Sequence, residues 1–207
     1  MRLVFMIFAL GLSSMALAGE YDIDPAHSSV GFKIRHLVTK TAGKFDKFKG
    51  TIMYEKGKPE TWTVMADIDP ASIDTNEPKR DKHLKSPDFF DVAKFPAMTF
   101  KSTKVKDVSG NKMKVESDLT IHGVTKQVEL DVEMTGEGKD PWGNEAAGFT
   151  GTTKVNRKDF GLTWNKALEA GGFLVGDEVE IALEVEAHAK KNVAEGKTET
   201  KKAKMGK

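Results

Sequence analysis

Along most of the chain apolar and polar residues alternate one for one. Val128, Leu130, Val132 and Met134 share one phase, while Gln127, Glu129, Asp131 and Glu133 hold the other. The same period of two runs through Val179, Ile181, Leu183, Val185 and Ala187 against Glu178, Glu180, Glu184 and Glu186. It returns in Met113, Val115, Leu119 and Ile121 against Lys112, Lys114, Glu116 and Asp118, in Val30, Phe32 and Ile34 against Gly31, Lys33 and Arg35, and in Trp62, Val64, Ala66 and Ile68. Successive side chains of a strand point to opposite faces, so each run predicts a strand with one wet and one buried face.

Turn-forming clusters separate the runs: Lys56-Gly57-Lys58-Pro59, Ser109-Gly110-Asn111, His122-Gly123, the stretch from Gly136 to Asn144, and Gly171-Gly172. Short turns between neighbouring strands predict a meander of about eight antiparallel strands. One interruption, between Asn76 and Phe95, contains Glu77 to Lys85 with Pro78 in its first turn and predicts a short helix. Leu37 to Ala42 is expected to form a second, shorter helical turn. No βαβ rhythm appears, which excludes Rossmann-like folds. An eight-stranded meander with an apolar inner face can close into a barrel and so lose its exposed edges. A barrel of that size is either filled by its own side chains or holds one ligand, and alternation alone leaves both readings open.

Composition narrows the function. The chain has 207 residues, no cysteine, 32 basic and 31 acidic side chains. Such balance argues against a nucleic-acid partner, which requires a surplus of cations to displace counterions from phosphates. The lack of cysteine excludes a disulfide scaffold, a thiolate metal site and a thiol nucleophile. The length suits one domain with a real core.

The ends differ from the middle. Arg2, the apolar run Leu3 to Leu12, Ser13, Ser14 and then Ala16-Leu17-Ala18 predict a secretory signal peptide over residues 1–18, cleaved after Ala18. The apolar run is well short of the ~20 residues a membrane-crossing helix requires. Export of a cysteine-free chain predicts a periplasmic address. From Lys190 to Lys207 the pattern stops, and seven Lys against two Glu predict a solvated, disordered tail able to adhere weakly to anionic lipid. The domain between, residues 19–189, is then net acidic.

Chemistry-bearing motifs are sparse. His27, His36, His83, His122 and His188 are not spaced as metal ligands, so a zinc site would have to be assembled from distant strands. No nucleophile elbow, Walker loop or dinucleotide fingerprint occurs. Ser28 beside His27 reads as a strand entry after the Asp24-Pro25 turn rather than as a catalytic pair, because triad partners meet through the fold. Polar residues gather at strand and helix ends: His27, Arg35, His36, Arg80, Asp81, His83, Asn156, Arg157 and Asp159. Ligand sites in barrels lie at the mouth, where a few polar groups fix an otherwise apolar ligand.

The chain resembles the YceI-like polyisoprenoid-binding family. Tyr21-x-Ile23-Asp24-Pro25-x-His27-Ser28-x-Val30-x-Phe32-x-Ile34-x-His36 is similar to the family's opening, followed by Gly43-x-Phe45-x-x-Phe48-x-Gly50. The resemblance continues in Arg80-Asp81-x-His83-Leu84-x-Ser86-x-x-Phe89-Phe90-Asp91-x-x-x-Phe95-Pro96-x-Met98-x-Phe100, in Leu119 to Thr125, and in Arg157 to Leu162. Together these cover nearly all of Tyr21 to Ala187.

The resemblance implies a lipocalin-like, all-β, eight-stranded antiparallel barrel with one or two short helices. It implies export to the periplasm, homodimerisation, and an amphiphile with a long isoprenoid or acyl tail held in a tunnel. The expected ligand is an isoprenoid quinone or polyprenyl lipid, with no cofactor, no metal, no catalytic residue and only transient contact with a membrane surface. Strand phase and aromatic content select the tunnel residues: Phe32, Ile34, Phe45, Phe48, Trp62, Val64, Leu84, Phe89, Phe90, Phe95, Phe100, Leu119, Ile121, Phe149, Phe160 and Trp164. We place His36, Arg80 and His83 at the headgroup. Two other readings are an enzyme with His36, His83 or His122 as general base, and a stress-related interaction protein that uses the barrel exterior.

Overall fold

The structure, a computed structural model, describes residues 18–167 and 174–190. The strands in chain order are β1 (Gly19–Ile23), β2 (Ser29–His36), β3 (Thr39–Phe45), β4 (Phe48–Tyr54), β5 (Thr63–Ile68), β6 (Ile73–Asp74), β7 (Met98–Ser109), β8 (Lys112–Ile121), β9 (Val124–Lys139), β10 (Glu145–Asn156) and β11 (Val175–Ala189). The helix α1 spans Pro78–Leu84, and a turn of 3-10 helix follows β10 at Arg157–Phe160.

Three pairs of these strands, β1/β2, β3/β4 and β5/β6, are each one pass of the chain broken by a short interruption, so the meander makes eight antiparallel passes. The order β1-β4-β5-β7-β8-β9-β10-β11 closes on itself through a further pairing of β11 with β1. The long β11 serves two neighbours. Its first part carries β2, with Val179 opposite Ile34 and Leu183 opposite Val30, and its last part carries β1, with Ile23 opposite Ala187. Closure continues one residue further, where the Lys190 N–H donates to the Glu20 carbonyl at 2.7 Å.

The sequence explains the breaks. Pro25 has no N–H for a ladder, and Asp24 Oδ1 accepts from the Ala26 N–H at 2.9 Å in an Asx turn. Ser28 then fastens the new strand, because its hydroxyl accepts from the Glu186 N–H at 3.0 Å. The neighbouring serine-histidine sequence is thus a strand entry, as expected. Helix α1 also forms where expected, with Pro78 in the first turn and the Glu77 carboxylate accepting from the Lys79 N–H.

The expected second helical turn at Leu37 to Ala42 is corrected: Leu37 has φ 53° at the tip of a hairpin, and Thr39 to Ala42 pair with β2, Thr41 lying opposite Ile34. Cross-strand pairing prevails in a segment whose two threonines suit a pleated surface. The expected leader and Lys-rich tail lie outside the described residues, apart from Ala18 and Lys190.

One phase of the alternation fills the interior. Near one end Tyr21, Ile52, Tyr54, Trp62, Met113, Phe149 and Ala187 pack into a dense cluster. The other phase forms cross-strand ion pairs on the exterior, such as Lys114 with Glu129 and Asp131, and Lys106 with Glu116 and Glu129. Exposed pairs of this kind contribute little to stability.

Candidate functional site

The barrel is not filled. A cavity of about 510 Å3 occupies the half towards α1, and a smaller one of about 90 Å3 adjoins it deeper in. The two share Ile23, Val64, Phe100, Leu130, Leu183 and Val185 in their walls, so they are successive chambers along the barrel axis. Inward-facing aliphatic residues from β2, β5, β8, β9, β10 and β11 make the walls of the larger chamber almost wholly apolar.

Aromatic side chains close the deep end. Tyr21 and Tyr54 meet edge to face with centroids 5.1 Å apart, Tyr54 lies 4.8 Å from Trp62, and Trp62 lies 5.7 Å from Phe149. Both phenols find carboxylate acceptors: Tyr21 donates to Glu145 at 3.2 Å, and Tyr54 donates to Glu137, which also pairs with Lys56. Burial, reinforced by the Glu145 carboxylate, pushes the Tyr21 phenol up to about 12. Burial and Glu137 raise Tyr54 as well, while Lys56 holds the Glu137 carboxyl below the usual range.

Polar groups concentrate at the other end, the mouth. Thr75, almost fully buried beyond β6, binds the first turn of α1. Its N–H and hydroxyl both donate to Asp81 Oδ1, and it receives Arg80 twice, from Nε on its hydroxyl at 2.8 Å and from NH2 on its carbonyl at 2.7 Å. Arg80 and Asp81 therefore join helix to barrel through one threonine, while Arg80 still lines the cavity. His83 bonds through Nε2 to Asp88 at 2.8 Å and packs against the rings of both Phe89 and Trp164, with centroids 5.1 and 4.9 Å away. His36, the last residue of β2, completes this rim.

Besides the exposed Lys79, Arg157 is the cation of the chamber wall that the sequence reading left out of the site. It is 3% exposed and lines the cavity. Its Nε donates to the Gly176 carbonyl at 2.8 Å, NH1 donates to the carbonyls of Leu162 and Trp164, and NH2 reaches Asp177 at 3.3 Å. Burial depresses its pKa and Asp177 opposes that effect. The sequence places Arg157 next to a turn but carries no signal that its guanidinium folds inward. The aliphatic wall of Val155, Val179, Ile181, Leu183 and Val185 also went unselected. Strict alternation in β11 marks the last four of these positions, whereas choosing by aromatic content passes over them.

Of the tunnel residues selected from sequence, Phe32, Ile34, Phe45, Phe48, Val64, Leu84, Phe89, Phe90, Phe100, Leu119, Ile121, Phe160 and Trp164 line the larger chamber, as do His36, Arg80 and His83. Trp62 and Phe149 line the smaller one. Phe95 lines neither and is corrected: its ring lies 4.3 Å from that of His122. There it packs over Gly123, where an added Cβ would come within 2.5 Å of the phenylalanine ring. Phe95 precedes β7, so no strand phase governs its direction.

Comparison with known proteins agrees with this architecture. The YceI-like domain profile matches residues 21–187. A UPF0312 protein of Vibrio cholerae is 41% identical over 165 residues, covering 75% of this chain and 87% of that protein. The crystal structure of a Campylobacter jejuni YCEI protein superposes with a TM-score of 0.67 at 35% identity, over 81% of this chain and 96% of that one. A polyisoprenoid binding domain from Saccharophagus degradans shares the fold with a TM-score of 0.58 at 17% identity, over 82% of this chain and 98% of that domain.

Proposed function

Because this chain belongs to the YceI-like family, we propose that it is a non-enzymatic carrier or store for an amphiphilic lipid, with a polyisoprenoid or long acyl chain held inside the barrel. The observation that carries this reading is the apolar chamber of about 510 Å3, continued inward by the smaller one. Its volume falls in the range of small-molecule sites, roughly 300–1,000 Å3. An isoprene unit has five carbons, and at ~0.8 kcal/mol per buried CH2 each unit contributes up to roughly 4 kcal/mol before the costs of association. A few buried units then give micromolar binding.

The mouth suits an anionic or carbonyl headgroup, since His36, Lys79, Arg80, His83 and Arg157 all stand at the chamber wall. Arg80 bonded to Thr75, His83 to Asp88 and Arg157 to three carbonyls all hold structural partners, which favours retention over turnover. The fold likeness to a polyisoprenoid binding domain points to the same ligand class. The leader-like residues 1–18 support a periplasmic address. Leu37 and Val38 stand exposed at the hairpin tip beside His36 and offer the mouth an apolar touch point on a membrane surface.

Organic extraction of the purified protein followed by mass spectrometry tests the proposal, with an isoprenoid or long-chain lipid expected in the extract. Repeated preparations that yield no lipid and fail to take up added polyprenoids would refute it. Phe90→Asp, which puts a carboxylate into the larger chamber, is expected to abolish uptake while circular dichroism stays that of a β protein.

A further inference from the structure

Far from the mouth, on the outer face where the barrel closes, four side chains of metal-binding type converge. Asp24 and His27 come from the turn between β1 and β2, and Glu186 and His188 come two residues apart on β11. His27 Nδ1 lies 2.6 Å from Asp24 Oδ2 and 3.9 Å from Glu186 Oε1. His188 Nε2 lies 2.9 Å from the same Glu186 oxygen and 3.8 Å from the same Asp24 oxygen. Donor atoms of Asp24, Glu186 and His188 all fall within 4.8 Å of one another.

We propose that Asp24, His27, Glu186 and His188 form a site for one divalent transition-metal ion of the zinc type. Four donors at zinc–nitrogen and zinc–oxygen distances near 2.0–2.1 Å are separated by about 3.3–3.4 Å when tetrahedral. Of the six separations that four donors define, the four above scatter around that value, and His27 stands outside the mutually close trio of Asp24, Glu186 and His188 and completes the set by turning in. His27 is the most exposed of the four, at 66%, and has the room to turn. Imidazole nitrogens select zinc, copper, nickel or cobalt over calcium or magnesium, and the two carboxylates neutralise the double charge.

Two further features suit a site. The backbone beneath it is fixed: the Asp24 N–H donates to the Glu186 carbonyl at 2.9 Å, and Ser28 holds the Glu186 N–H. The other nitrogen of His188 faces a third carboxylate, Asp140 Oδ2 at 4.0 Å, the kind of outer partner that orients ligating histidines. The histidines are too far apart in sequence for any spacing rule, and the barrel closure alone brings them together. An ion here would tie β11 to the turn between β1 and β2, stapling the seam from outside without touching the lipid chamber.

The test uses the purified full chain without a histidine tag. Zinc is titrated against a chelating indicator, and cobalt is followed by its visible absorption. One equivalent is expected to bind at micromolar concentration or tighter, with a tetrahedral-type cobalt band and a rise in Tm that follows mass action. His27→Gln and His188→Gln should each weaken binding at least about tenfold, and Glu186→Gln, which preserves size, should do the same. His122→Gln should bind as the parent does. Millimolar binding only, no cobalt band, or unchanged binding in the folded double variant His27→Gln/His188→Gln would each overturn the proposal.

Discussion

The imidazole of His83 stands edge-on to the indole of Trp164, with ring centroids 4.9 Å apart and planes at 89°. Phe89 closes the triangle, 5.2 Å from the indole. One lip of the mouth comes from α1 and the chain that follows it, the other from the loop after Arg157–Phe160, so these rings fasten two distant parts of the sequence. Trp164→Ala removes that fastening. Release of a fluorescent fatty acid, followed by stopped flow, is expected to accelerate about tenfold, because such changes act mainly on dissociation. Stability should fall by about 1–3 kcal/mol. An unchanged release rate would place the gate elsewhere.

Arg157 fixes the other lip through the carbonyls of Gly176, Leu162 and Trp164. Arg157→Met is expected to cost about 3 kcal/mol or more in chemical denaturation, since buried acceptors are left without partners. Arg157→Lys should recover only a minor part, because an ammonium cannot span three carbonyls as a planar fork does.

Filling the chamber should separate ligand uptake from folding. Ala66 on β5 lines the larger chamber, and Ala66→Phe projects a ring into space that is otherwise empty of protein. Lipid uptake, measured with the same fluorescent acid, should weaken at least about tenfold, while Tm changes little. Retained affinity would show that the ligand lies outside this chamber.

Both tyrosines of the chain stand at the closed end, so the phenolate absorbance reports that end alone. Tyr21, with its pKa pushed up to about 12, favours the neutral phenol in the fold. Its contribution to stability is complete below the unfolded value of about 10 and is lost as pH rises towards 12. A spectrophotometric titration should therefore show ionisation delayed beyond that of free tyrosine. Glu145→Gln should bring the Tyr21 transition down, by removing the neighbouring negative charge.

Much of the architecture was legible because period-two patterning carries it. The runs at 113–121, 127–134 and 179–187 each became a strand with the expected face inward, and Glu77-Pro78 opened α1 where its capping chemistry required. Legibility failed where tertiary pairing or a loop decided the outcome. Leu37 to Ala42 has no pattern that separates a helical turn from a hairpin tip. Phe95 takes its direction from the His122-Gly123 turn, at φ 53° and 75°, and not from a strand. Arg157 folds inward because three carbonyls converge there, a fact that no spacing in the chain encodes. The cavity itself was invisible to alternation, which gives the direction of side chains but not how far they reach.

The broken pass formed by β5 and β6 gives the chamber two kinds of wall. Lower down, β5 and β7 are joined by a backbone ladder from Met65 opposite Lys101 to Ile68 opposite Met98, and the Val64 N–H is taken by the Ser102 hydroxyl. Higher up, β6 pairs with β3 while β7 begins only at Met98 opposite Ile68, so α1 and residues 86–97 complete the circumference there. A ladder yields only when several hydrogen bonds part together, whereas packed side chains shift one rotamer at a time. The larger chamber is thus a sleeve with one stiff side and one compliant side, able to accept chains of differing girth without opening the barrel.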